Sequence, residues 1–420
     1  MFALVALLLV ACSKGHSGAR DDGSNGGSSS VPTAPQPGCL DADYSLCDIR
    51  DADCQTRIAG LAACLRGNEP LDIHIDVLTE DEYTQQRLDE IAALPSSQLY
   101  HFYRVLALLD LSSGTVGSLA GGVGGFVKKL GGVYEPDKKR IVIVDHGVPA
   151  DTADIDGVLL HESIHALQDA DYDLTTWFAN NGDGTFDRTL SLKSIVEGEA
   201  RFYEMRAAVP FNGYSPRGYD YPHYFLSSRQ DILARVFESP SAYDDSFLTF
   251  PYAMGASLID SAWLVGGPRG DDPLWASPPL TTQRVIAEVL QLDTPQETGV
   301  EIADPMPTGL SLDSQDSLGA WGLALFHSIH GASVSAAQAH GMAWRGDHFW
   351  VYTDDAHLEY GLWQVELESA AEARAFDAVA AKLGGNVEHG SSGARAFVSV
   401  GVEGTSAEAT AAGQSWLAAK

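Results

Sequence analysis

The sequence predicts an α+β fold in which a small sheet lies over a helical lower half, followed by a small C-terminal α+β unit. Three observations predict it. Alternating or β-branched runs lie at Asp72–Leu78 and Ile141–Asp145, ahead of a stretch from Ala166 to about Val265 that is helical in its periodicity. The closing segment, residues 336–420, then reads strand, strand, helix, strand, helix. Strands and helices segregated in this way, rather than alternating regularly, mark the α+β class. With 420 residues and 45% hydrophobic content the chain can bury a full core. Asp and Glu outnumber Lys and Arg 57 to 26. Phosphates must be neutralised by cationic side chains, so no nucleic-acid partner is expected.

From the N-terminus, residues 1–11 form an apolar run too short to span a bilayer, and it stops at a cysteine. Leu9-Val10-Ala11-Cys12 resembles a bacterial lipobox, although no Lys or Arg precedes the apolar run. The resemblance implies that residues 1–11 are a signal peptide and that Cys12 carries lipid. The mature chain would then be anchored on the extracytoplasmic side of the cell envelope, with Ser13 favouring the outer membrane. Residues 12–38 hold this cysteine and a linker rich in Gly, Ser and Pro, which buries too little apolar surface to order itself. Cys39, Cys47, Cys54 and Cys64 then fall within 26 residues. An even cluster outside the cytoplasm predicts two disulfides stapling a helical segment over residues 39–69, with three pairings open.

Residues 70–335 are expected to form one unit. Asp72–Leu78 alternates as a half-buried strand does, and Glu80–Leu109 has helical periodicity. The Gly-rich Ser113–Gly132 reads as a loop or a loosely packed helix pair. Val133–Arg140 and Ile141–Asp145 read as a hairpin leading into a helix, with the strand before that helix at the sheet edge. The helical stretch beyond it is broken by a polar loop at Asn180–Asp187. In the C-terminal unit the strands are His348–Thr353, Gly361–Leu367 and Ala394–Val402, and the helices Ala370–Leu383 and Ala407–Ala419.

The chemistry concentrates in His161-Glu162-Ser163-Ile164-His165, preceded by Val158-Leu159-Leu160. Residues four apart on a helix share a face at about 6 Å, so both imidazoles can meet one metal ion while Glu162 faces its open position. Imidazole suits zinc, and a catalytic zinc keeps a place for water. Glu162 would take that water's proton and pass it to a leaving amine. A third ligand is needed, and no His occurs in the thirty residues after His165. Ile195-Val196-Glu197-Gly198-Glu199-Ala200 supplies carboxylates between small residues that permit close packing. Glu197 is the expected ligand, with Glu199 as the alternative.

An HExxH followed by a helix bearing Glu-Gly-x-Ala resembles the gluzincin metallopeptidases, which include thermolysin and the aminopeptidase N group. Pro251-Tyr252-Ala253-Met254-Gly255 is similar to the Pro-Tyr-x-x-Gly segment of the latter. Over residues 70–370 the chain further resembles a group of bacterial and archaeal predicted metallopeptidases. Gly131–Pro136, His161–Asp169, Glu197–Ala200, Pro251-Tyr252, Pro278–Gln283 and Trp344–His348 carry that likeness. The resemblance implies a zincin-like fold, one zinc ion on His161, His165 and Glu197, Glu162 as general base, and Tyr252 as donor to a developing oxyanion. The implied function is hydrolysis of peptide bonds in a peptide or protein substrate. The rival readings are a silent binding or scaffold lipoprotein and a zinc hydrolase of a non-peptide amide. The sequence leaves the oligomeric state open.

Lesser candidates complete the reading. Asp169, four residues after His165, is placed to orient a ligand imidazole. Asp347 and His348 could face the cleft, or form a strand-start turn. Asn181–Asp187 resembles a calcium loop, although an EF-hand's first Asp would fall on Ala179 and its twelfth Glu on Leu190. His327 and His330 are expected to be packed rather than metal-bound.

Overall fold

The computed structural model describes residues 12–13, 39, 41–92, 98–112, 127–128, 130–147, 149, 151–239, 242–293 and 299–419. The expected signal peptide, residues 14–38 of the linker, and most of the Gly-rich stretch 113–132 lie outside these residues. The fold is mixed α and β with two small sheets.

Strand β1 (Cys12–Ser13) and helix α1 (Ala52–Arg66) come first. Two disulfides, Cys39–Cys64 and Cys47–Cys54, close nested loops around α1 and settle the pairing. Gly67 ends α1 at φ 84°, a left-handed cap that a residue with a Cβ adopts only with strain. Next are β2 (His74–Thr79), α2 (Glu80–Ala92), α3 (Gln98–Ala107), β3 (Leu130–Glu135) and β4 (Arg140–Asp145). The first sheet has the order β1-β3-β4-β2, with β2 parallel to β4 and the other pairs antiparallel.

Helix α4 (Ala153–Tyr172) carries the HExxH motif. The strand preceding it, β4, is interior rather than the expected edge, and β3 is the strand laid along the motif. Gly131 and Gly132 make that approach possible. A Cβ on Gly132 would stand 2.8 Å from Val158 Cγ1 and 3.2 Å from Glu162 Cγ, closer than side-chain packing tolerates.

The lower half comprises α5 (Leu174–Asn181), α6 (Phe186–Phe211), α7 (Tyr221–Phe237) and α8 (Ala242–Phe250). A π-helical turn, Pro251–Gly255, leads into α9 (Ala256–Gly266), followed by α10 (Asp272–Ala276) and α11 (Thr282–Leu290). Helix α6 is buried along nearly its whole length, with a Thr185 cap at its start. It crosses the π turn at backbone contact, because Gly198 and Gly255 meet: a Cβ on Gly198 would lie 2.5 Å from the Gly255 carbonyl carbon.

The C-terminal sheet is larger than expected. Strand β5 (Ser311–Asp316) precedes α12 (Gly319–Ile329) and α13 (Val334–Met342), and pairs with β6 (Trp344–Thr353). Then follow β7 (Glu359–Leu367), α14 (Ala370–Ala380), β8 (Val387–Ser392), β9 (Arg395–Gly401) and α15 (Ala407–Ala418), in an antiparallel sheet ordered β5-β6-β7-β9-β8. The sheet therefore starts before residue 336, and the expected single strand at 394–402 is one arm of a hairpin. Both additions, SLDSQD and VEHGSS, are polar edge strands without an apolar face to declare them.

One hydrophobic core joins this sheet to the lower half, with Phe250 and Trp321 in the same cluster as Phe349 and Trp363. Asp347 knots the junction. Its carboxylate accepts from Leu318 N, Gly319 N, Ser317 Oγ and the indole N–H groups of Trp344 and Trp363, at 2.8–2.9 Å. Asp347 is thus a structural anchor, with no share in the HExxH site. His348 lies against Gln315 and Trp350 on the same sheet.

Candidate metal centre

Two helices build the site. On α4, the pitch of 3.6 residues per turn stacks His161 and His165, whose ring centroids are 4.8 Å apart. Helix α6 packs across them and delivers Glu197, whose Oε2 lies 3.4 Å from His161 Nε2 and 3.5 Å from His165 Nε2. All three side chains are fully buried. Ligands held tetrahedrally at zinc's usual 2.0–2.1 Å lie about 3.3 Å from one another, so the spacing fits a single ion of that size.

The hydrogen bonds behind the imidazoles decide which atoms face inward. His161 Nδ1 lies 2.9 Å from Glu204 Oε2, and an ionised carboxylate only accepts, so Nδ1 holds the proton. Burial raises the Glu204 carboxyl, but the charge of Arg201 and the hydrogen bond from His161 outweigh it and keep the group low. His165 Nδ1 lies 2.7 Å from Gln168 Oε1. The Gln168 amide is fixed in turn, since its Nε2 donates to Val196 O and Glu199 Oε2, both at 2.9 Å. With both protons on Nδ1, the neutral imidazoles aim their Nε2 lone pairs at Glu197. Lys193 Nζ lies 3.8 Å from the other carboxylate oxygen, Glu197 Oε1. Electron-pair donors converging in a dry interior repel unless a cation sits among them. This buried group of His161, His165 and Glu197 could hold a metal ion.

Glu162 faces the same space. Its Oε2 accepts from Tyr134 N on β3 at 2.7 Å, which pins the carboxylate, and Oε1 has no hydrogen-bond partner among the described residues. Burial pushes this carboxyl up to about 6. Tyr252, on the π turn, brings its ring centroid to 5.8 Å from that of His161. Single π turns recur at functional sites because they re-aim side chains within a helix.

Three lesser readings fall away. Glu199 is no ligand: it faces away from the metal group, and its Oε1 accepts from Arg66 Nε at 2.8 Å. Asp169 touches neither imidazole, but accepts from Tyr134 Oη, Lys139 Nζ and Leu174 N, anchoring the end of α4 against β3. The Asn181–Asp187 loop gathers no calcium site. Asp183 accepts from Thr185 within the loop, whereas Asp187 is buried against Thr282. His327 is packed, stacked on His340 at 3.9 Å between centroids.

The orienting residues, Gln168 and Glu204, escaped the sequence reading although their spacing carried a signal. Gln168 is three residues after His165 and Glu204 seven after Glu197, each on the face of its ligand. Among the described residues one other grouping has metal-holding geometry, Cys47, Cys54 and Asp156, and its sulfurs are joined in a disulfide.

Disulfides suit an oxidising, extracytoplasmic compartment, and among the described residues no helix is long and apolar enough to cross a membrane. In comparison with known proteins, no family model, curated protein or solved structure matches the chain.

Proposed function

We propose that this chain is a zinc-dependent peptide hydrolase of gluzincin type, acting at the cell envelope and anchored there through lipid on Cys12. The observation that carries the reading is the convergence of two Nε2 lone pairs and the Glu197 carboxylate beside an unbonded Glu162 oxygen. His161, His165 and Glu197 would hold the ion. Zinc in such a set acidifies a water and polarises a carbonyl.

The protein's own groups do the rest. Glu162 Oε1 takes the proton of an attacking water, and the Tyr134 N–H holds the carboxylate in place as it does so. A carboxyl raised toward neutrality also returns the proton readily to a leaving amine. Tyr252 donates to the oxygen on which charge develops. Gln168 and Glu204 keep both imidazoles in the tautomer that leaves Nε2 open to a metal.

The test is metal content and turnover of the soluble chain from Ser13 onward. Wild type is expected to hold one zinc, and His161→Ala or Glu197→Ala to lose it. Glu162→Gln should keep the zinc and lose about 10²- to 10⁴-fold in peptide turnover. Undiminished turnover in Glu162→Gln would overturn the mechanism, and a folded wild type that refuses zinc would leave a binding scaffold as the reading.

A further inference from the structure

Arg66 is the last residue of α1 and is fully buried, two positions beyond the disulfide-bonded Cys64. Its Nε donates to Glu199 Oε1 at 2.8 Å, and its Nη1 donates to Asp171 Oδ2 at 2.6 Å and to Asn68 Oδ1 at 2.9 Å. Gln168 Nε2 donates to the other oxygen of Glu199, and Gln168 Oε1 takes the Nδ1 proton of His165. An unbroken hydrogen-bonded path thus runs from the stapled segment to one imidazole of the metal group.

Each link of that path has a single polarity. Arginine only donates and an ionised carboxylate only accepts, so Gln168 must turn its amide nitrogen to Glu199 and its carbonyl to His165. Remove Arg66 together with Glu199 and Gln168 loses one of the two acceptors that hold its amide nitrogen. Val196 O alone then fixes that amide, and Gln168 is freer to turn over. The reversed amide offers an N–H to His165 Nδ1, driving the imidazole proton to Nε2, where it blocks a metal.

We propose that Arg66 is a positioning residue for the metal centre, and that the disulfide-stapled helix thereby sets metal affinity by fixing the tautomer of His165. The proposal rests on the metal reading above, and its test separates the two. Zinc affinity is measured by chelator competition on wild type, Arg66→Lys, and the double variant Arg66→Met/Glu199→Leu. Replacing a buried ion pair with apolar groups of similar size often leaves stability unchanged, so the double variant is expected to fold. Its zinc affinity should fall about 10- to 100-fold, the usual cost of losing an outer partner of a ligand. Arg66→Lys, which keeps the charge, should lose less. Ile58→Val thins the packing of α1 without touching the path, and should bind zinc as wild type does.

Histidine ¹⁵N resonances of the zinc-free proteins give the second readout. His165 is expected as the Nδ1–H tautomer in wild type and as a mixture in the double variant. Unchanged zinc affinity and an unchanged His165 tautomer in the folded double variant would overturn the proposal. A wild type without zinc would overturn the metal reading, while the tautomer would still decide this one.

Discussion

Tyr252 has its place because a π turn, rather than a continuous α-helix, spans Pro251–Gly255 and rotates the side chain toward His161. Its predicted part is electrostatic, a single hydrogen bond to developing charge. Tyr252→Phe removes that donor and keeps the ring, so zinc content and stability should stay at wild-type levels. Turnover should drop by about 10²- to 10³-fold, the range seen for loss of one oxyanion donor. Parallel metal analysis and peptide kinetics check it, and a turnover equal to wild type would reduce Tyr252 to a packing residue. At this scale much was legible: the HExxH pair and Glu197 declare themselves by type and spacing. Glu199, the alternative on the same helix, is set apart by a long-range partner: its Oε1 accepts from the buried Arg66, 133 residues away in sequence, whereas Glu197 Oε2 lies beside both imidazoles.

Among elements, the crossing of α6 over the π turn matters most, since it fixes Glu197 and Tyr252 relative to each other. The contact is backbone on backbone at Gly198 and Gly255. Local propensity alone would make Gly198→Ala stabilising by up to about 1 kcal/mol in a helix interior. Here the added methyl has no room against an immobile backbone, so the variant should instead lose about 1–3 kcal/mol, the range for overpacking. Chemical denaturation gives the sign directly, and a stabilised Gly198→Ala would refute the close crossing.

Elements with a strong local pattern were legible in the sequence: the β-branched Ile141–Val144 became β4, and HESIH sits on a buried helix. Strands β5 and β8 were not. They are polar ribbons held by their neighbours, and their stability comes from a sheet whose central strands are far off in sequence. The strand order of the first sheet was hidden for a related reason. Gly131 and Gly132 read as loop residues, whereas their missing side chains are what let β3 lie against α4.

For the molecule as a whole, buried acids set the response to pH. Burial pushes the Asp187 carboxyl up to about 7 and the Asp271 carboxyl up to about 8, and raises Asp316 well above the carboxylate range. A carboxyl raised in the folded state favours folding while protonated, and that contribution is lost as pH climbs through the folded value. Buried His327 works the other way, since burial lowers its imidazole to about 3. Its cost arises below the pH at which a free histidine charges, roughly 6.5, and is flat above it. Between pH 6.5 and pH 9 the carboxyls therefore dominate, and the denaturation midpoint should fall steadily across that interval. Urea titrations at fixed ionic strength test this, and a midpoint that rises over the same interval would contradict it.

The stapling of α1 also bears on when the molecule can work. Arg66 reaches Glu199 from a helix whose last turn is tied down by the Cys39–Cys64 bond. That bond forms only where thiols are oxidised. On the function proposed above, a freshly made chain in a reducing compartment would carry the proposed ligands and general base, yet lack the tie proposed to steady His165. Maturation of the proposed centre would then wait on oxidation of the Cys39–Cys64 pair, and the proposed activity would appear only where that bond can form.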